Sequence, residues 1–442
     1  MTLDDVVRAF AGALLAGEWT ESTVRERAVE ALGAKPRWLW PLVRRVVRLG
    51  SPPRRRQVEL AIRASSAFVG AWKRGLVQPT RALEVRAVLS SPRMGPVRWA
   101  VPSLGTEGEL ARWLGLGVSD LFWLADPLAG ERRARVERIR NYVYTWVPKR
   151  SGGVRLIESP KPLLKTLQRR ILREIISLVP VSDSAHGFVL GRSTLTHASS
   201  HISQRVVLRL DLRDFFSTVS AWRVAAVFRT AGYPENVARL LAGLCTNSAP
   251  EAVLQLAGPS LSRFQKQRLR SAHVPQGAPT SPAVANLCAY RLDRRLAGLA
   301  RVSGTIYTRY ADDLVFSGDF TRSKDFDRPR PSIDRFVARA HAIVLEEGFT
   351  PHFEKTRVMG CGRRQEVTGI VVNRQPNVSR ADLEVFEATL YNCRRSGPST
   401  QNRTGHPDFR AQLAGRLGYV EMVLGERARW LRTLFEQIDW SR

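Results

Sequence analysis

Asp312 and Asp313 stand side by side in Tyr310-Ala311-Asp312-Asp313, within a β-forming stretch that includes Ile306, Tyr307, Leu314, Val315 and Phe316. Alone, such a doublet reads as a turn, because Asp hydrogen-bonds its own backbone at chain reversals. A second apolar run, Val207-Leu208-Arg209-Leu210-Asp211-Leu212, also delivers an aspartate at its end and is followed by Phe215-Phe216. Three carboxylates converging at strand ends repel one another unless cations sit between them, and hard oxygen ligands with room for water and phosphate suit Mg²⁺. Two such ions about 3.5–4 Å apart clamp the attacking and leaving oxygens of an in-line phosphoryl displacement. The chemistry that fits is nucleotidyl transfer, a 3′-hydroxyl attacking an α-phosphate with pyrophosphate leaving.

The elements that must position these acids are two short strands within 306–316 and a strand over 206–212. Upstream, residues 142–160 read as a β-hairpin with the basic turn Lys149-Arg150-Ser151-Gly152-Gly153, and 161–179 as a helix burying Leu164, Leu167, Ile171 and Ile175. The Pro- and Gly-rich segment Val274-Pro275-Gln276-Gly277-Ala278-Pro279-Thr280-Ser281-Pro282 leads into a helix expected over 283–296. Residues 1–130 look helical and Arg-rich, broken at Gly50-Ser51-Pro52-Pro53 and again at 91–96. Past about residue 380 the chain returns to helix, with Leu413, Leu417, Val420 and Leu424 on one stripe. The expectation is an α+β protein in three parts: a basic helical extension over 1–130, a mixed domain over 131–380, and a basic helical domain over 381–442.

Charge narrows the partner. The 442 residues carry 69 Lys plus Arg against 40 Asp plus Glu, a formal net of +29, which points to a polyanion. The run Arg44, Arg45, Arg48, Arg54, Arg55, Arg56 either grips nucleic acid or is a solvated face. Cys245, Cys288, Cys361 and Cys393 form no C-x-x-C pair, so neither a zinc site nor a disulfide framework is suggested, and a reducing, cytoplasmic location fits. Residues 1–17 read as an amphipathic helix rather than a signal sequence, with Leu3, Val6, Val7, Phe10 and Leu14 at helical spacing and Asp4 and Asp5 near the start. No apolar run is long enough for a membrane span, so no membrane partner is expected.

In order along the chain, these motifs resemble the reverse transcriptases. Asp211 is similar to the family's first catalytic aspartate, Tyr310-Ala311-Asp312-Asp313 to its tyrosine-x-aspartate-aspartate hairpin, and Gln276-Gly277 to its glutamine-glycine segment. The resemblance implies a right-hand polymerase fold of fingers, antiparallel palm and helical thumb, and two Mg²⁺ held by Asp211, Asp312, Asp313 and the Leu212 backbone carbonyl. It also implies deoxynucleotide binding by Lys149 and Arg155 on the triphosphate, Gln276 and Gly277 lining the pocket, and Phe216 under the sugar. The residues alone fit Phe215 to packing as well as Phe216. Lys355, in His352-Phe353-Glu354-Lys355-Thr356, resembles the lysine that protonates pyrophosphate.

Within that family, Val367-Thr368-Gly369 resembles a signature of the retron enzymes, as does Ala185-His186-Gly187-Phe188-Val189-Leu190-Gly191-Arg192-Ser193, whose Gly191 and Arg192 would hold a template phosphate. A second retron signature, asparagine-alanine-x-x-histidine, stands here as His197-Ala198-Ser199-Ser200-His201, with His in place of Asn; His201 alone fits a structural histidine. The long extension, with Trp146-Val147-Pro148-Lys149-Arg150 and Ser159-Pro160-Lys161-Pro162, is most similar to the myxobacterial type. The resemblance implies a cognate noncoding RNA, bound by C-terminal helices through Arg416 and Tyr419 and copied from a guanosine 2′-hydroxyl into RNA-linked single-stranded DNA. It further implies an accessory effector or toxin and a role in anti-phage defence. Two alternatives stand beside it: a group II intron-like or abortive-infection reverse transcriptase, and an inactive RNA-binding scaffold on the same fold.

Overall fold

The computed structural model describes residues 3–15, 19–32, 34–50, 53, 55–77, 99–127, 129–133, 136–149, 152–257, 260–320 and 332–441. Ser51 and Pro52 of the first break, the second break at 91–96, Arg54, and Arg150 and Ser151 of the basic turn lie outside them. The chain forms two compact units that interleave along the sequence, Met1–Val179 with Val219–Val284, and Pro180–Thr218 with Ala285–Arg442.

The first unit begins with helices Leu3–Leu15, Glu21–Leu32, Leu39–Val47, Arg55–Arg63 and Ser66–Lys73. Val6, Val7, Phe10 and Leu14 recur every three or four residues, so they share one face, and all are buried. They meet Leu39, Leu42, Val46, Val58, Ile62 and Phe68 in a core whose buried members, among the described residues, fall between Val6 and Val77. Phe10 stacks on Phe68 at 5.9 Å between centroids. Arg44, Arg45 and Arg48 point away from that core and are exposed, as is Arg56.

Two strands follow, β1 (Tyr142–Pro148) and β2 (Val154–Pro160), paired antiparallel with Val147 opposite Arg155. Lys149 closes the turn, its N–H donating to Gly153 at 3.0 Å and its carbonyl accepting from Gly152 at 3.0 Å. Leu156, with Tyr144 and Trp146, packs over Val253, Leu254, Leu261 and Leu269. The next helix opens on Pro162 and buries Leu164, Leu167 and Ile171 as expected. It stops at Glu174 rather than reaching 179: Ile175 leaves helical geometry, a 3₁₀ turn covers Ile176–Leu178, and Val179 is extended before Pro180.

In the second unit, β3 (Val206–Asp211), β4 (Ile306–Tyr310), β5 (Asp313–Gly318) and β6 (Arg357–Gly360) form an antiparallel sheet in the order β4-β5-β3-β6. The two central strands are covered on both faces. Val207, Leu208, Leu210, Leu314, Val315 and Phe316 are therefore all buried, which is why these runs, Arg209 apart, are apolar rather than alternating. Phe336 of helix Ile333–Glu346 lies edge-on to Phe316 at 5.0 Å. The helix expected over 283–296 is two, Ser281–Cys288 and Tyr290–Val302. They meet at Ala289, whose N–H is shared between the carbonyls of Ala285 at 3.0 Å and Asn286 at 3.2 Å.

A small hairpin, β7 (Glu366–Val367) and β8 (Ile370–Val371), turns on Thr368 at φ 48° and Gly369 at φ 83°. Paired left-handed residues suit a two-residue hairpin turn, and the second demands glycine most strongly. Val367, Ile370 and Val372 share a core with Phe386, Leu390, Leu413, Leu417, Val420 and Leu431 of helices Arg380–Ser396, Phe409–Leu424 and Arg429–Glu436. Among the described residues no helix is long and apolar enough to cross a membrane.

Candidate active site

Asp211 ends β3 directly opposite Asp313, the first residue of β5. Leu212 N–H donates to the Asp312 carbonyl at 3.0 Å, while His352 N–H to Asp211 O and Arg213 N–H to Thr350 O, both 2.7 Å, fix the end of β3 on its other side. Local pairing thus carries all three aspartates to one end of the sheet.

The turn between β4 and β5 is the two residues Ala311 and Asp312, with Ala311 at φ 55°. That left-handed conformation costs a non-glycine residue about 1–2 kcal/mol, and surrounding contacts hold it. Arg309, fully buried on β4, grips Asp293 through Nε–Oδ1 at 2.8 Å and Nη2–Oδ2 at 2.7 Å. Its Nη1 donates to Asn286 Oδ1 at 2.9 Å and to the Ala311 carbonyl at 3.1 Å. On the far edge of β4, Arg309 and residues 184–186 exchange two 2.7 Å main-chain bonds. Gly187 then lies so close that a Cβ there would stand 2.6 Å from Ala311 N.

Two cations answer the carboxylates. Arg209, two residues before Asp211 and so on the same face of β3, holds Asp313 by Nε–Oδ1 at 2.9 Å and by Nη2 to both oxygens at 2.8 Å. Lys355 Nζ lies 3.2 and 3.1 Å from the two oxygens of Asp211. The Asp312 side chain reaches solvent at the turn, yet desolvation by the protein around it, with repulsion from Asp313 and Asp211, pushes its carboxyl up to about 6. Burial raises Asp313 as well, with Arg209 working against it.

Among the described residues no group of three or more His, Cys, Asp or Glu is arranged to hold a metal ion, and Asp211 and Asp313 are paired with Lys355 and Arg209. The donor set nevertheless fits hard divalent cations. It is all oxygen, and the mutual repulsion felt at Asp312 is the penalty that bound metal removes.

Beside the turn, Phe188 lies 6.3 Å from both Tyr310 and Phe216. Phe215 is buried against Phe349 and Arg309, whereas Phe216 is only half-buried, so the two phenylalanines separate into a core residue and one with an open face. His201 is structural: its ring bridges Ser317 Oγ at 2.6 Å and Thr308 Oγ1 at 2.7 Å on adjacent strands. His197, the residue in place of asparagine, is buried with its ring 5.7 Å from Tyr310.

In the first unit, Gln276 and Gly277 lie on β2. Gln276 O accepts from Glu158 N–H at 2.8 Å, and a Cβ on Gly277, at φ 133°, would come within 3.0 Å of Glu158 O. Glycine is thus required there by the approach to β2 itself. Arg155 is exposed on the same hairpin and Lys149 half-buried at its turn.

The residues expected to meet RNA also make contacts within the chain. Arg192 Nη1 donates to the carbonyls of Ser182, Asp183 and Ala185 at 3.2, 2.8 and 2.6 Å, closing the loop that ends in Gly191, which is at φ 76°. Arg416 Nη2 donates to Asp382 O at 3.0 Å with its guanidinium over the Phe386 ring. Tyr419 Oη lies 3.5 Å from where a Gly369 Cβ would be, so the Val367-Thr368-Gly369 turn packs under this C-terminal helix.

Sequence reasoning missed Arg209, Arg309, Asp293 and Gly187. Arg209 was signalled by its two-residue spacing from Asp211 and Gly187 by its place in a motif, while the Arg309–Asp293 pair had no sequence signal.

Residues 147–375 match the family described as "Reverse transcriptase (RNA-dependent DNA polymerase)". The chain is 44% identical over 341 residues to the Retron Mx65 reverse transcriptase of Myxococcus xanthus, covering 76% of this chain and 72% of that one. It is 39% identical over 330 residues to the Retron Mx162 reverse transcriptase of the same organism, covering 72% and 64%. With the Retron Ec86 reverse transcriptase of Escherichia coli it shares 31% identity over 274 residues, covering 59% and 74%. With an antiparallel sheet presenting three aspartates, this α+β chain belongs to the retron reverse transcriptases, RNA-directed DNA polymerases of the right-hand fold, and is similar to those of myxobacteria.

Proposed function

We propose that this polymerase copies part of a cognate structured noncoding RNA into multicopy single-stranded DNA, starting from a guanosine 2′-hydroxyl of the same RNA, in the bacterial cytoplasm and in defence against phage. An accessory effector protein completes that role. The observation that carries the polymerase chemistry is the register pairing of Asp211 with Asp313, with Asp312 beside them in the turn.

Asp211, Asp312, Asp313 and the Leu212 carbonyl would hold two Mg²⁺. When bound, these ions supply polarisation of the attacking hydroxyl and neutralisation of the departing pyrophosphate. Arg209 pairs with Asp313 and opposes the effect of its burial, and Lys355 pairs with Asp211 and is assigned the proton given to pyrophosphate. Lys149 and Arg155 receive the triphosphate, Gln276 and Gly277 line the nucleotide pocket, and the open face of Phe216 excludes a ribose 2′-hydroxyl.

The basic extension over 1–130, the fingers and palm over 131–380, and the thumb over 381–442 are the functional divisions we assign. Gly191 and Arg192 order the loop that meets the template, and Arg416 and Tyr419 place the thumb on the RNA, read largely by shape and backbone contacts. Primer extension on an RNA template tests the reading. Mg²⁺-dependent DNA synthesis that disappears in Asp211→Asn is expected, and synthesis surviving that substitution would refute it.

A further inference from the structure

The segment carrying Gln276 is anchored residue by residue. Ala272 O accepts from Ala221 N–H at 3.0 Å, His273 exchanges two main-chain bonds with Asn247 at 2.8 and 2.9 Å, and Val274 N–H donates to Val219 O at 2.9 Å. Ser281 Oγ donates to Pro275 O at 2.6 Å, and Gln276 O takes the Glu158 N–H. Glu158 also meets this segment through its side chain: Oε2 is 2.9 Å from His273 Nε2, with both residues 1% exposed. Its other oxygen accepts from Asn247 Nδ2 at 2.8 Å.

The opposite side of the His273 ring fixes the protons. Nδ1 lies 2.8 Å from the Ser271 carbonyl, and a carbonyl only accepts, so Nδ1 carries a hydrogen. Nε2 faces a carboxylate, and a hydrogen bond there needs a second proton, lying between Nε2 and Oε2. Imidazole and carboxylate therefore hold one proton in common, as an ion pair or as two neutral groups, and its loss to solvent leaves a buried carboxylate facing a nitrogen lone pair.

We infer that Glu158 and His273 are positioning residues, a proton-sharing pair that sets Gln276 and with it the affinity for the incoming deoxynucleotide; this rests on reading Gln276 as part of the nucleotide pocket. The other titratable groups nearby are Tyr142 and Tyr144 on β1, which act on Glu158, with Glu131, which accepts from Tyr144 Oη at 2.9 Å, and Cys245 beside those tyrosines. Burial alone would lower His273, but the Glu158 carboxylate outweighs it and holds the imidazole above its ordinary range. The pair is therefore complete below the usual histidine pKa and fails as pH rises through the raised value.

The test is steady-state primer extension by the full chain, with kcat and KM for deoxynucleotide measured from about pH 6 to about pH 9. Glu158→Gln keeps an acceptor for Asn247 and a donor for His273 but cannot share a proton with the imidazole. Wild-type KM should climb at alkaline pH relative to Glu158→Gln, whose profile stays flat against it. At neutral pH, His273→Gln should raise KM roughly tenfold with little change in kcat, Gln276→Ala should do the same, and the double variant should be no worse than either. Coincident wild-type and Glu158→Gln profiles overturn the inference, even if His273→Gln proves too unstable to assay. A raised KM in Gln276→Ala beside unchanged His273→Gln places the failure in the pair. An unchanged KM in Gln276→Ala overturns the pocket reading, and the inference with it.

Discussion

Asp313 and Asp211 each have a cation of their own, Arg209 on the first and Lys355 on the second. Arg209→Met removes the group that opposes the burial of Asp313, and Asp313 must then bind a proton at higher pH. The acid limb of the activity profile should move to higher pH, measured as kcat against pH; an unmoved limb would separate Arg209 from the chemistry. Phe216→Ala should raise ribonucleotide incorporation, read by alkaline cleavage of the product, whereas unchanged sugar discrimination removes Phe216 from this role. At this scale much was legible. The apolar run that ends in Asp211 and the one that begins after Asp313 announce strands delivering carboxylates, because central strands covered on both faces are mostly apolar. Phe216 could not be told from Phe215 without the fold, since adjacent residues differ only in which way the backbone turns them. Arg209 reads as one charge in an apolar strand until the register sets its guanidinium on Asp313.

The β4–β5 hairpin is held from beneath by one buried ion pair and from its edge by a close-packed glycine. Arg309→Met would leave Asp293 charged and unpaired in the interior and release the Ala311 carbonyl, a change expected to cost about 3–5 kcal/mol. Chemical denaturation should show that loss, and a variant as stable as wild type would mean that the hairpin is held otherwise. The ion pair could not be read from spacing, because Arg309 and Asp293 lie on different elements. The same holds for the helix divided at Ala289, where no Gly or Pro marks the change and a shared hydrogen bond does the work. The C-terminal helices were more legible, their Leu413, Leu417 and Val420 stripe facing the core that also takes in Val367 and Ile370.

On the scale of the whole molecule, the net charge of +29 suits a protein that handles RNA and DNA, and its exposed arginines are spread well beyond the acidic site. The N-terminal helices are a separate matter. Among the described residues the buried members of their core fall between Val6 and Val77, so a fragment spanning 1–77 should fold alone and melt cooperatively by circular dichroism, and a fragment without helical signal would show that it borrows its core. What these helices bind was not legible, since a run such as Arg44, Arg45 and Arg48 faces outward whether or not a partner covers it. If the three aspartates make DNA on an RNA template, sequencing the nucleic acid that copurifies with wild-type protein and with an Asp312→Asn, Asp313→Asn variant will show it. RNA with covalently linked complementary DNA from the wild type, and the same RNA without DNA from the variant, is the predicted result; linked DNA from both, or from neither, would contradict it.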